Sequence, residues 1–296
     1  MSRDRFGLLA TVALLAVTAS WGSTFFLIKD LLDRVPVVDF LAVRFTIAAV
    51  AVFAIAPRTV LRLSPAARRR GCLLGLVYGV AQIVQTYGLE HTSASVSGFV
   101  TGMYVVCTPL LAGWLLRQHV GAISWVAVGL ATVGLAVLSL NGIVVGYGEA
   151  VTFVSAVLYA LHIVGLGAWS NPADAFGLSV LQVGVIALVC NVSAVPGGIV
   201  LPQTPADWTS VVYMALVAGT FALVAQTWAQ AHLAPTRAAI IMTMEPVFAA
   251  SFAVLLGGEL LTARMLVGGG FVLAAMLLVE LAPRRKIEGE VPHISV

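Results

Sequence analysis

Apolar runs of about 20 residues, separated by short polar connections, repeat along the whole chain. At a rise of 1.5 Å per residue, a run of that length crosses a hydrocarbon core of ~30 Å. The runs are continuous rather than alternating, which predicts helices and not barrel strands. Ten spans are expected, over residues 7–29, 36–57, 71–91, 94–116, 121–140, 147–168, 177–200, 208–231, 234–256 and 262–282. The connections between them leave no room for a soluble catalytic or nucleic-acid-binding domain, so function falls to the helices. The first run is too long for a signal-peptide core, has no small-residue cleavage site, and is read as retained.

Composition agrees: 60% of the 296 residues are hydrophobic and 10% are charged, too little polar material to cover a water-soluble domain. The net charge of +3 matters less than its distribution. With the amino terminus inside, inner segments hold twelve Lys or Arg, from Arg3 and Arg5 through the Arg68, Arg69, Arg70 run to Arg284, Arg285 and Lys286. Outer segments hold three, Lys29, Arg34 and Arg264, and Arg44 lies within a span. This bias predicts a cytoplasmic (inner) membrane protein with both termini in the cytoplasm. The arginine run is then a topology anchor and not a nucleic-acid patch. Cys72, Cys107 and Cys190 have neither metal spacing nor an even pairing and read as small buried hydrophobes.

The chain also resembles itself. QTYGLEHTSA (85–94) lies over QTWAQAHLAP (226–235), and TPLLAGWLL (108–116) over EPVFAASFA (245–253), with four extra residues in the first copy between the two matches. The same order in both places predicts two halves, residues 1–145 and 146–296, of five helices each. An odd number of crossings turns the second half upside down relative to the first. Inverted halves suit a carrier that alternates between inward-open and outward-open shapes, although duplication of a bundle for purely structural reasons gives the same pattern.

Three segments carry a further likeness: ASWGSTFFLIK (19–29), TSASVSGFVTGMYVVCTPLLAGWLL (92–116) and MEPVFAASFAVLLGGELLT (244–262). In their order and spacing they resemble the EamA family of the drug/metabolite transporter superfamily over essentially the whole chain. The resemblance implies a ten-helix, five-plus-five layout, a central cavity, and export or exchange of small metabolites, often amino acids. Two places depart from the pattern. LLRQHVGAISW after the fourth span lacks the Gly-Glu found at Gly258 and Glu259, and Tyr159, Ala160 and Leu161 stand where the first half has Trp21, Gly22 and Ser23.

Charges inside a span cost ~2.5 to 3.5 kcal/mol at its centre on insertion scales, so each needs a partner or a task. Arg44 lies roughly 12 Å into the second span and Glu245 roughly 16 Å into the ninth, both near mid-depth. Glu245 is tolerated if protonated, if paired with Arg44 or another cation, or if it faces a wet cavity. Pro246 removes the amide that would bond the Met242 carbonyl, which sets a free acceptor beside the carboxylate. Glu245 is expected to receive a substrate ammonium or a coupling proton, or else to lock the ninth helix to the second. Lys29, beside Asp30 and Asp33, is a snorkelling edge residue or, on the family resemblance, part of an outer gate.

Tyr78, Gln82, Gln85, Tyr104, Gln226 and Trp228 offer donors, acceptors and aromatic faces in corresponding helices of both halves, as a cavity for an amphipathic solute requires. Interhelical bonding is the alternative for any one of them. His162 is a packing residue or a proton-titrating one, while His91 and His232 read as interfacial. Small-residue spacings at Gly75 and Gly79, at Gly98 and Gly102, and across Gly268 to Gly270 allow backbones to approach or mark a dimer face. Trp125, Trp169 and Trp208 fall near membrane edges. The expected function is a secondary transporter of small metabolites, foremost amino acids or related amphipathic solutes, that works by alternating access without cofactor or metal. Its partners are the solute, the bilayer and a candidate coupling proton. An intramembrane enzyme would need a clustered acid, base or metal set, and a sensor or scaffold would need an output domain; neither stands out in the sequence.

Overall fold

A computed structural model describes residues 3–56, 58–117, 120–139, 146–258 and 260–281. Glu259, the boundary between the expected halves after residue 145, and Arg284, Arg285 and Lys286 lie outside them. No strand occurs among the described residues.

The first apolar run forms α1 (Arg3–Gly22) and α2 (Thr24–Leu32), broken at Ser23. Ser23 Oγ donates to the Ser20 carbonyl and Thr24 Oγ1 to the Trp21 carbonyl, each at 2.7 Å. Hydroxyls bonded back in this way compete with the amide ladder and bend a helix. After Pro36 comes α3 (Val37–Ile55). α4 (Pro65–Glu90) starts where Ser64 accepts from the Ala67 amide and Pro65 takes the first helical position. It therefore begins six residues before the predicted edge at 71 and carries Arg68, Arg69 and Arg70 on its first turns rather than in a connection.

The fourth run is α5 (Ala94–Thr101) and α6 (Tyr104–Leu116), interrupted at Gly102 and Met103. α7 (Ala122–Ser139), α8 (Tyr147–Trp169) and α9 (Ala175–Ala194) follow. α10 (Pro205–Ala215) passes through a π-helical stretch, Leu216–Phe221, into α11 (Ala222–Gln230). The ninth run is α12 (Pro235–Met242) and α13 (Met244–Leu255), interrupted at Thr243, and α14 (Ala263–Leu281) is last. Against the ten spans that the pattern predicts, eight stretches are helical, long and apolar enough to cross a membrane. The fifth and tenth runs, outside those eight, are also helical, as the 18-residue α7 and the 19-residue α14.

Packing is helix on helix: α4 against α8 and α9, α3 against α9, α1 against α11 and α13, and α7 against α14. α5 meets α13 while α6 meets α12, so the two broken runs cross in antiparallel fashion. The core between them holds Leu14, Phe40, Phe45, Tyr104 and Ile163. Leu8, Val12, Ile55, Trp114, Leu188 and Val192 remain exposed, an apolar exterior suited to lipid.

The two ends of the bundle are tied differently. At one, Phe6 stacks on His232 with centroids 5.5 Å apart. At the other, Arg34 joins Asp30 at 2.6 Å and Asp207 at 2.7 Å, and Thr92 donates to Glu149 at 2.7 Å. Hydrogen bonds to Asp30 and Asp207 hold the Arg34 guanidinium above its ordinary pKa, so that tie keeps its charge.

Candidate solute cavity

Seven of the apolar runs line one cavity inside the bundle, with a volume of about 30 Å³, room for a few water molecules in this conformation. Helix breaks shape it. Gly22, at the break of the first run, packs against the backbone of α13: a Cβ there would stand 2.8 Å from the Ala249 nitrogen and 3.0 Å from the Glu245 carbonyl oxygen. Met242 and Glu245 flank the break of the ninth run, and Thr101 and Tyr104 flank that of the fourth.

Both mid-depth charges line this cavity, Arg44 2% exposed and Glu245 5%. No ion pair joins them among the described residues. Arg44 Nε donates to the Met214 carbonyl at 3.2 Å, Nη1 reaches Gln82 Oε1 at 3.5 Å, and the guanidinium lies 5.0 Å from the Phe45 ring centroid. A relay continues from there. Gln82 Nε2 donates to the Tyr159 hydroxyl at 2.7 Å, that hydroxyl donates to Gln85 Oε1 at 2.8 Å, and Gln85 Nε2 donates to Thr101 Oγ1 at 3.0 Å.

Elsewhere in the lining, the Tyr104 hydroxyl donates to the Met242 carbonyl and lies 3.4 Å from Glu245 Oε2. Pro246 has no amide for that carbonyl, and the tyrosine takes the place of the missing donor. His162 Nε2 faces Gln182 Oε1 at 2.8 Å, and Tyr78 packs edge-on against both Tyr159 and His162.

Of the residues expected at a binding site, the cavity brings together Tyr78, Gln82, Gln85, Tyr104, His162, Gln226, Glu245 and Arg44. Trp228 is not among its lining residues; its ring packs 4.8 Å from that of His232 towards the end of the bundle. Pro246 is buried beside the cavity. Lys29 Nζ donates to the carbonyls of Leu89 at 3.1 Å and Glu90 at 2.9 Å, which places a cation on the carboxyl end of α4. Cation and helix end attract there as they do at many helix termini.

Sequence reasoning overlooked Tyr159, the centre of the relay, and Trp21, whose Nε1 donates to the Ala218 carbonyl at 2.8 Å. A signal existed. Tyr159 occupies the repeat position of Trp21, and both line the cavity. The hydrogen bond between Ser23 Oγ and the Tyr213 hydroxyl, 2.7 Å across the bundle, left no trace in either motif.

Comparison with known proteins adds family and fold. A model of the EamA-like transporter family matches residues 8–140 and again 146–281. An uncharacterized transporter of Archaeoglobus fulgidus is 28% identical over 93% of this chain and 86% of its own length. The uncharacterized inner membrane transporter YedA of Escherichia coli K12 is 24% identical over 91% of this chain and 90% of its own. A solved crystal structure superposes with a TM-score of 0.76 at 16% identity, covering 93% of this chain and 98% of that one, a likeness of fold alone.

Proposed function

The chain belongs to the EamA-like transporter family, and from that premise we propose that it carries small metabolites, amino acids or related amphipathic solutes among them, by alternating access of the central cavity. The observation that carries this reading is the convergence of polar side chains from seven apolar runs on one space within the bundle. A bundle that needed only to hold together would spread such groups as pairs between neighbouring helices. Interruptions of the first, fourth and ninth runs beside the cavity support it, because broken helices around a cavity are how secondary carriers expose backbone groups to solute.

In this reading two halves of five crossings each, inverted with respect to one another, rock about the cavity, with both termini in the cytoplasm. Tyr78, Gln82, Gln85, Tyr104, His162, Gln226 and Glu245 contact the solute. Lys29 closes the non-cytoplasmic end by its bonds to the Leu89 and Glu90 carbonyls and releases them when that end opens. Export or exchange then draws on gradients, with a proton on Glu245 as the candidate coupling ion.

Counterflow in reconstituted vesicles tests the function. A panel of amino acids and nucleoside-like metabolites, run with and without a pH gradient, is expected to show saturable exchange for at least one class. Uptake no faster than in protein-free vesicles across the panel would remove the transporter reading.

A further inference from the structure

Beneath the different ties at the two ends of the bundle, one constellation recurs. His91, at the end of α4, donates from Nδ1 to the Tyr87 carbonyl at 2.9 Å, and its ring meets that of Tyr147, at the start of α8, edge-on with centroids 5.2 Å apart. His232, after the end of α11, donates from Nδ1 to the Trp228 carbonyl at 2.8 Å, and its ring stacks on Phe6 near the start of α1 at 5.5 Å. A carbonyl only accepts, so each bond fixes the tautomer and holds the ring in one orientation. The ring partners belong to a match of their own: FGLLAT (6–11) lies over YGEAVT (147–152), and Thr11 donates to the Gly7 carbonyl at 3.0 Å as Thr152 does to that of Gly148 at 2.8 Å. Ring partners and histidines alike are 141 positions from their counterparts (6 to 147, 91 to 232).

The two contacts stand at opposite ends. Phe6 lies near the start of the first run, whereas Lys29 near its finish meets the Leu89 and Glu90 carbonyls beside His91. The central cavity lies between them, lined by Thr86 and Leu89 from α4 and by Gln226 from α11, and with both contacts made its volume is only about 30 Å³. We propose that the two ring contacts are latches, one for each mouth of the cavity, that the structure is the occluded form with both shut, and that opening towards either side of the membrane releases the latch on that side alone. This rests on the reading of the cavity as a solute path. Equivalent latches at opposite ends are what two inverted halves need, since exchanging their conformations then releases one ring pair and keeps the other. A ring pair at the rim is weak enough to break in every cycle, unlike a buried ion pair. The bond to its own helix keeps each histidine in place after the partner ring leaves.

The test reads access to the cavity from each side. In a background with Cys72, Cys107 and Cys190 replaced, Thr86→Cys places a thiol in the cavity wall, and its reaction with an impermeant charged methanethiosulfonate is timed with the reagent outside or inside sealed, oriented vesicles. Asp33→Cys, exposed at the Lys29 end, identifies the side on which His91 lies. Tyr147→Ala removes one ring and leaves the histidine bonded to its helix. Reaction from the His91 side is expected to quicken at least about twofold, the lower end of what losing an aromatic pair gives, with no gain from the other side. Phe6→Ala gives the opposite sidedness, while Tyr147→Phe and Phe6→Tyr, which keep the rings, react at the wild-type rate. General loosening of the fold would quicken reaction from both sides alike. Gains from both sides, from the same side in both alanine variants or from the side away from the lost ring overturn the proposal, as do unchanged rates or a thiol that reacts from neither side. Counterflow separates it from the transport reading. Sided gains without exchange of any solute in the panel support the latches and remove the transporter, whereas exchange with unsided rates removes the latches and leaves the transporter standing.

Discussion

Tyr104 joins two broken runs through one proton. Its hydroxyl serves the carbonyl that Pro246 deprives of an amide, so the proline and the tyrosine form a single device across α6 and α12. Tyr104→Phe keeps the ring and removes the donor, which leaves the Met242 carbonyl unbonded. Interhelical side-chain bonds within membranes average only ~0.6 kcal/mol, and an orphaned buried carbonyl adds to that, so a loss on the order of 1 kcal/mol is expected in equilibrium unfolding in mixed micelles. An unchanged unfolding midpoint would mean that the carbonyl finds another partner. Glu245→Gln keeps shape and removes the ionisable carboxyl, and among the described residues no cation pairs with Glu245 to be left stranded. Folding is therefore expected to survive while counterflow falls at least about tenfold, the scale at which losing a charged contact shows in binding. Flux at the wild-type rate would discard the residue's role.

Where helices meet, glycine decides how closely. α4 and α8 cross at Gly88 and Gly148: a Cβ on Gly88 would lie 2.9 Å from the Gly148 carbonyl oxygen, and one on Gly148 would lie 2.9 Å from that of Gly88. These are backbone neighbours that cannot rotate away. Gly148→Ala is accordingly expected to cost about 1–3 kcal/mol by overpacking. Gly129→Ala on α7, where no neighbouring element among the described residues lies within 4 Å of the added carbon, is expected to hold the unfolding midpoint or raise it slightly, alanine being the better helix former, and serves as the control.

Sequence spacing had singled out other glycines, with mixed results that have a physical cause. Gly75 does press on the α9 backbone, 3.0 Å from the Gln182 carbonyl oxygen, and Gly98 on Ala249, but nothing stands within 4 Å of a Cβ at Gly269 or Gly270. Spacing shows that a helix has a small face and says nothing of what faces it. The same limit applies to the breaks. The consequence of Pro246 for the Met242 carbonyl followed from covalent chemistry, whereas the break at Ser23 depends on two hydroxyls choosing backbone carbonyls over water or neighbours, which local sequence does not settle. Tyr159 reads as a departure from the repeat until the relay through Gln82 and Gln85 gives it partners.

Across the whole molecule, the described connections constrain the number of crossings more tightly than helix length does. α6 ends at Leu116, and α12, which runs against it in antiparallel fashion, begins at Pro235 beside the end of α8 at Gly167. α8 begins at the other end of the bundle, where Gly148 meets Gly88 and Glu149 takes the Thr92 hydroxyl proton. The chain must pass from one end to the other between Arg117 and Gly146, and α7 is the described element on that path. Its 18 residues reach roughly 27 Å, close to a full hydrocarbon core. In a background with Cys72, Cys107 and Cys190 replaced, Arg117→Cys and Tyr147→Cys are expected to react with an impermeant thiol reagent from opposite sides of the membrane, Arg117→Cys from the cytoplasm. Labelling of both from one side would take α7 out of the membrane, leave the first half with four crossings, and remove the inversion on which the exchange of open sides depends.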